Sequence, residues 1–142
     1  MTRYFQNCGR ATTALASHTA SLTVSSLART GGLADGESCN LATIYLPNVS
    51  SLAQLCEISE LLYKVQKQVT RLEYPYAKTT EIVRKNARLG QNVSGILQAS
   101  EEQVSWLTKA YDNLRKIDEK FSKANNLPES VRLTTVQPSG TL

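Results

Sequence analysis

Asn40-Leu-Ala-Thr-Ile-Tyr-Leu46, closed by Pro47 and followed at once by Ser51-Leu-Ala-Gln54, is the stretch whose reading decides the fold. Leu41, Thr43 and Tyr45 alternate with Ala42, Ile44 and Leu46, and both sets are apolar enough for a strand covered on both faces. Pro47 cannot donate to a sheet ladder and ends it. Ser51 and Gln54 then have the spacing of a capping box. From there Leu52, Leu55, Leu62, Val65, Val69 and Leu72 recur at three- and four-residue steps, with Ile58 and Leu61 alongside. That pattern predicts one apolar helix face running to about Leu72.

Working outward, Tyr74-Pro75 breaks the helix, because the residue before proline disfavours the helical region. A shorter helix is expected from about Lys78 to Leu89, with Ile82, Val83, Asn86 and Leu89 inward and Gly90 as a left-handed cap. Val93 to Leu97 reads as a short buried strand. Ser100-Glu-Glu-Gln103 is a second capping box. Val104, Leu107, Tyr111, Leu114, Ile117, Phe121 and Ala124 then keep helical spacing until Asn125-Asn126 and Pro128 end the run. Val131 to Val136 is a β-branched strand leading into Pro138-Ser139-Gly140-Thr141. The order is strand, helix, helix, strand, helix, strand, which argues for an α/β layer with parallel strands. Three strands are too few to bury both faces of such a sheet, so the chain reads as a sector of a larger fold.

Composition sets the outer bounds. With 142 residues, 41% hydrophobic and 20% charged, the chain is one soluble domain or less. No window approaches a membrane span, and the first twenty residues lack the apolar core of a signal peptide. The net charge of +4 is mild, and most of it comes from Arg3, Arg10 and Arg29 in an opening segment without acids. Later charges are interleaved in sign, so no basic stripe points to nucleic acid. Cys8, Cys39 and Cys56 form neither a disulfide framework nor a metal-ligand spacing, and no metal site is expected. A reducing, cytoplasmic compartment is the default. Residues 1–32 are rich in Ser, Thr and Ala, show no clean period, and are expected to form an irregular leader.

Two stretches could carry chemistry. Cys39 opens the first strand after the acidic turn Asp35-Gly36-Glu37-Ser38. By itself it reads first as a small apolar filler and second as a thiol poised to donate electrons, which would need a second cysteine within bonding reach. Pro138, Ser139, Gly140 and Thr141 would free backbone N–H groups and offer two hydroxyls to a phosphate, or simply cap a following helix. Gly90-Gln-Asn-Val-Ser-Gly95 lacks dinucleotide-binding spacing. His18 belongs to no constellation, Glu101 and Glu102 suit a helix N-terminus, and Trp106 and Tyr111 are expected in the core.

From Leu33 to Leu142 the chain resembles the catalytic chain of the adenosylcobalamin-dependent (class II) ribonucleotide reductases. The resemblance rests on Gly36-Glu-Ser-Cys-Asn-Leu41, Arg84-Lys-Asn-Ala-Arg-Leu-Gly90, Val93-Ser-Gly-Ile96 and Glu129-Ser-Val-Arg-Leu-Thr-Thr-Val-Gln-Pro-Ser-Gly-Thr141. It implies a sector of a ten-stranded α/β barrel, residues 33–142, with residues 1–32 foreign to the family. It implies reduction of a ribonucleotide at its 2′ carbon by a thiyl radical, a step of DNA precursor synthesis. Adenosylcobalamin would generate that radical, although none of its contacts is identifiable in this sequence. Cys39 would be one of two thiols oxidised to a disulfide, re-reduced by an external thiol reductant such as thioredoxin. Ser139, Gly140 and Thr141, with Pro138, would bind substrate phosphate. The family's Asn-Pro-Cys-Gly-Glu loop, whose cysteine carries the radical, should precede Cys39. The window Ser25-Ser-Leu-Ala-Arg-Thr-Gly-Gly32 holds neither Cys nor Glu. The chain alone is therefore expected to be inactive. The competing expectations are a non-catalytic helical interaction module and, more remotely, a small nucleic-acid-binding domain.

Overall fold

The elements are Ala20–Ser25 (β1), Cys39–Tyr45 (β2), Leu52–Val69 (α1), Ala77–Asn86 (α2), Leu89–Ser94 (β3) and Glu101–Ala124 (α3), in a computed structural model that describes residues 20–25 and 33–135. Single 3-10 turns, Leu46–Asn48 and Ile96–Gln98, follow β2 and β3. The sheet order is β1-β2-β3. β2 and β3 are parallel, with Asn40 opposite Leu89 and Tyr45 opposite Ser94. A parallel bridge between Gln91 and Thr134 extends the same direction one position further. It is held by Gln91 N–H to Leu133 O at 2.8 Å, Thr135 N–H to Gln91 O at 2.9 Å and Leu89 N–H to Arg132 O at 2.8 Å. The chain is thus mixed α/β, with helices crossing between parallel strands as the sequence pattern requires.

β1 lies within the segment expected to be an irregular leader. It pairs antiparallel with β2, Ser25 opposite Cys39. Ala20, Leu22 and Val24 alternate with Ser21, Thr23 and Ser25, which is the period of a strand; the pairing satisfies the backbone N–H and C=O groups along the edge of β2 that β3 leaves open.

The helices begin where the capping residues placed them. Ser51 accepts from Gln54 N–H at 3.2 Å, although the Gln54 side chain reaches past it to Ser50 N–H at 2.7 Å. Ser100 and Gln103 complete the reciprocal box. Gln103 also spends its amide hydrogens on Val49 O at 2.8 Å and Leu46 O at 3.2 Å, fixing the start of α3 to the link between β2 and α1.

Two expectations are corrected around Gly90. α2 stops at Asn86, and Ala87, not Gly90, takes the left-handed conformation, at φ 41°, with its N–H on Val83 O. The strand expected from Val93 to Leu97 occupies Leu89–Ser94 instead. Burial of Leu89 among Tyr63, Leu114 and Leu133 pulls the chain into extended form earlier than local pattern suggests. Gly90 then lies inside β3, where a Cβ would stand 2.6 Å from Leu41 Cδ2 and 2.8 Å from Thr135 Cγ2. The glycine is needed for closeness of approach, not for turn geometry.

One apolar cluster joins Ala42 and Ile44 of β2, and Leu46 of the turn after it, to Leu55 and Leu62 of α1 and Ala110 of α3. The buried line of α3 is Ala110, Leu114, Asp118 and Ser122. Tyr111, expected in the core, is 42% exposed, while Trp106 packs against the cluster at its edge. The stripe is rotated because a polar pair sits in it. Lys67 and Asp118 are each 1% exposed and meet at 3.0 Å. Lys67 Nζ also donates to Pro128 O at 2.7 Å and Ser130 Oγ at 2.9 Å, which uses all three ammonium hydrogens. Asp118 accepts from Tyr63 OH at 2.8 Å, Ser122 Oγ at 3.2 Å, Ser130 Oγ at 3.0 Å and Ser130 N–H at 2.8 Å. Burial raises the Asp118 pKa, but Lys67, the Ser130 N–H and Tyr63 outweigh it and hold the carboxyl below its ordinary range.

Removing one partner strands the other charge without solvent. Asp118→Ala should lower unfolding free energy by about 3–5 kcal/mol, and the paired replacement Lys67→Met with Asp118→Leu should cost less than that single change, both read from urea denaturation midpoints. Gly90→Ala should cost about 1–3 kcal/mol in the same measurement, because the Leu41 and Thr135 side chains would have to move apart.

Candidate thiol site at the start of the parallel strands

Cys39 is the first residue of β2 and is completely buried. Strand alternation sets its direction. Asn40, the next residue, sends its amide into α1, donating to Gln66 O at 3.2 Å while Gln66 Nε2 donates back to Asn40 O at 2.8 Å. Cys39 therefore leaves the sheet on the side away from α1, the side shared by Leu41 and by the bare Cα of Gly90. Its thiol lies 3.8 Å from Asn40 O.

The acidic turn ahead of Cys39 is a clamp. Gly36 takes φ 81°, Glu37 N–H reaches Ala34 O at 2.9 Å, and Glu37 Oε2 accepts Ala34 N–H at 2.9 Å. The other carboxylate oxygen accepts Asn86 Nδ2 at 2.9 Å and Arg88 Nε at 3.0 Å. Asn86 in turn accepts Val131 N–H on its carbonyl at 3.0 Å. One buried carboxylate thus ties the entry of β2 to the exit of α2, and through Asn86 to the segment that forms the parallel bridge. Burial raises the Glu37 pKa, yet the Ala34 N–H, Asn86 and Arg88 bring it below its usual value.

Tyr74, on the link between α1 and α2, buries its hydroxyl near Ser38 and Cys39. Its pKa is raised, first by burial and further by the nearby Cys39 sulfur; the Ser38 hydroxyl beside it opposes the shift. Ser38 Oγ and Tyr74 OH are both buried and neither makes a hydrogen bond of good geometry. Asn40 Oδ1 and Gln66 Oε1 are in the same condition.

Of the residues singled out in the sequence, Cys39 is thus placed in a built environment, while Cys56 packs at the rim of the apolar cluster. Pro138, Ser139, Gly140 and Thr141 lie outside the described residues, as do Cys8 and His18. Among the described residues no group of three or more His, Cys, Asp or Glu could hold a metal ion. No helix among them is long and apolar enough to cross a membrane. Sequence reading missed Asn86 and Arg88 as partners of Glu37. The available signal was a Glu two residues before the thiol and an Arg just beyond a helix end, which is too common a pairing to stand out.

Glu37 gives the site a pH dependence. Its folded pKa is lowered from 4.5, so its contribution is complete above that value and is lost as pH falls through the folded pKa. Glu37→Gln should flatten the acid limb of stability measured by denaturation from pH 7 downward, and should leave the neutral-to-alkaline limb unchanged.

No protein-family profile matches the chain. Comparison with curated proteins finds the adenosylcobalamin-dependent ribonucleoside-triphosphate reductase of Euglena gracilis, 38% identical over 89 residues, covering 59% of this chain and 12% of that protein. The enzyme of the same name from Lactobacillus leichmannii is 27% identical over 78% of this chain and 19% of its own length. Among solved structures, a B-12 dependent (class II) ribonucleotide reductase superposes with a TM-score of 0.65 and 25% identity, over 77% of this chain and 20% of that one. The chain spans a fifth or less of the length of these relatives. By sequence and by fold, it is similar to the adenosylcobalamin-dependent ribonucleotide reductases over a limited part of their length.

Proposed function

We propose that this chain is a piece of a class II ribonucleotide reductase catalytic chain, residues 33–142 forming a sector of its ten-stranded α/β barrel and residues 1–32 standing outside the family's sequence. The observation that carries the reading is the convergence of the family-like stretches. Glu37 from the first is bonded to Asn86 and Arg88 from the second, and Gly90 packs against Leu41 and Thr135, from the first and last. Residues scattered along the sequence that resemble one enzyme family are in contact at one end of one sheet. Helices packed on a parallel-stranded sheet, with this set of neighbours, do not favour a free-standing helical interaction module.

In this reading the parent enzyme reduces a ribonucleoside triphosphate, the substrate named for the relatives, to its 2′-deoxy form. Two thiols supply two electrons and two protons, the 2′ hydroxyl leaves as water, and the thiols become a disulfide. Cys39 is one of them, on a buried strand whose entry is fixed by the Glu37 clamp. Pro138, Ser139, Gly140 and Thr141 bind the substrate phosphate, and a dithiol protein such as thioredoxin restores the thiols. The compartment is the reducing cytoplasm.

Adenosylcobalamin belongs to the parent enzyme, but the described residues do not fit it. A concavity of about 740 Å³ lies on the α1 and α3 side of the sheet among Ile44, Val93, Leu107 and Leu114, whereas Cys39 faces the opposite side. A corrin macrocycle is larger than the ligands such a groove suits. The radical-bearing cysteine loop is likewise missing from the window before Leu33. The 142-residue chain with adenosylcobalamin, a dithiol and ribonucleoside triphosphate should show no turnover; turnover would overturn the fragment reading. Residues 33–142 exchanged into the Lactobacillus leichmannii reductase should retain measurable reduction, and Cys39→Ser in that chimera should abolish multiple turnover. Survival of turnover would remove Cys39 from the redox pair.

A further inference from the structure

Resting on the reading of Cys39 as a redox thiol and of residues 138–141 as a phosphate loop, the sheet face between them identifies a further residue. Four side-chain amides are buried among the described residues: Asn40, Gln66, Gln91 and Asn92. The first three each donate a hydrogen bond, to Gln66 O, Asn40 O and Ser59 O. Asn92 is 6% exposed and its amide bonds to none of the described residues. A buried amide without a partner loses its water and gains nothing in return, so it calls for an explanation.

Strand geometry gives this amide its direction. Side chains two residues apart share a face. Asn92 therefore stands on the face of Gly90, where a Cβ would meet Leu41 Cδ2 and Thr135 Cγ2. In register Asn92 lies opposite Thr43, and Leu41 and Thr43 stand on the face of Cys39. Amide and thiol thus share one face of the sheet. Thr43 is four residues beyond Cys39, so the two positions are about 13 Å apart along the strands. The face is low between them, because Gly90 contributes no side chain there. The bridge of Gln91 to Thr134 puts Thr135 alongside Asn92, and Pro138 is three residues further along the same chain. Cys39, then Asn92, then the segment leading to residues 138–141 is the order along the face.

The surroundings are electropositive and rich in donors. Asn92, Thr134 and Thr135 also border the concavity of about 740 Å³ where it reaches the edge of β3. Its described wall holds Arg132 and no Asp or Glu. Arg132 takes no part in the four ion pairs among the described residues. Two amide hydrogens, the threonine hydroxyls and a guanidinium are the complement of an anionic oxygen.

We infer that Asn92, with Thr135 at its side, is a substrate-binding residue that donates its amide hydrogens to the phosphate next to the ribose. The ribose then lies over Gly90 with its 2′ carbon toward Cys39, and the outer phosphates continue toward residues 138–141. The substrate supplies the acceptor that the folded chain withholds from this amide.

The test titrates the full chain with ATP, and separately with adenosine. It follows the ¹⁵N side-chain amide of Asn92, identified by its loss in Asn92→Ala, together with the backbone amides of Ser139, Gly140 and Thr141. ATP should move both sets, and adenosine should leave the Asn92 amide in place. Asn92→Ala should weaken ATP about ten- to a hundredfold, the size expected for hydrogen bonds to a charged group, and Asn92→Asp should weaken it further by facing the phosphate with a carboxylate. The urea midpoint of Asn92→Ala should not fall, because no protein partner is lost; a purely structural role would lower it and leave ATP affinity unchanged. Should Asn92→Ala lose its native amide spectrum, the Asn92 signal is assigned through its own backbone and the titration of the parent chain decides. An Asn92 amide that stays fixed while residues 139–141 move overturns the inference and leaves the phosphate loop standing. Both sets fixed at millimolar ATP overturns the phosphate reading and the inference with it. Equal movement with adenosine overturns the assignment to a phosphate.

Discussion

The ion pair between Lys67 and Asp118 is the constraint on which the arrangement of the three helical and strand layers depends. Neither charge has access to water, and two buried charges are tolerable only if every remaining hydrogen and lone pair is also occupied. That requirement recruits four residues from three places: Tyr63 on α1, Ser122 on α3, and Pro128 and Ser130 on the segment returning to the sheet. Apolar side chains alone would let α3 roll against α1 at little cost. The pair fixes the roll, and with it the height at which the returning segment meets β3. The edge-on contact of Tyr63 with Phe121, at 5.6 Å, follows from the same fixed geometry.

How much of this was legible in the sequence depends on how local the deciding force is. The starts of α1 and α3 were readable because a cap is a matter of three or four neighbouring residues, and Ser51 and Ser100 do what their spacing says. The end of α3 was readable for the same reason in Asn125, Asn126 and Pro128. The end of α2 was not, because Leu89 is drawn into a core made by Tyr63, Leu114 and Leu133, none of them local. The face of α3 was misjudged at Tyr111 because periodicity counts apolar residues, and the true inward line contains Asp118 and Ser122. A charged residue in register with an apolar stripe was the signal, and it was visible at Lys67 as well, four residues beyond Tyr63. β1 was read only as part of an irregular leader, although Ala20, Leu22 and Val24 alternate with Ser21, Thr23 and Ser25, because six alternating residues do not stand out in a Ser/Thr/Ala-rich segment.

The thiol site was legible only in part. Cys39 stood out through its flanking residues, but the clamp on Glu37 joins positions 34, 37, 86 and 88, and the Tyr74 phenol comes from a helix break that reads as mere punctuation. Fold and site share this feature. The parallel strands bring their starting ends together, so residues far apart in sequence, each ordinary alone, become one environment around a single sulfur. The same topology separates that environment from the α1 and α3 groove, with the sheet as the partition between them.

Gln103 shows how the opposite end of the sheet behaves. Its backbone N–H caps onto Ser100, its side-chain oxygen takes the Ser100 N–H, and its amide hydrogens hold Val49 and Leu46. The connection after β2 and the start of α3 are therefore closed by one side chain. In native-state hydrogen exchange such regions do not open separately: loosening either releases the other, so residues 46–49 and 100–103 form one cooperative unit despite some fifty residues of chain between them. The strand ends on that side would open and close together, on a single timescale, with Gln103 as the common latch.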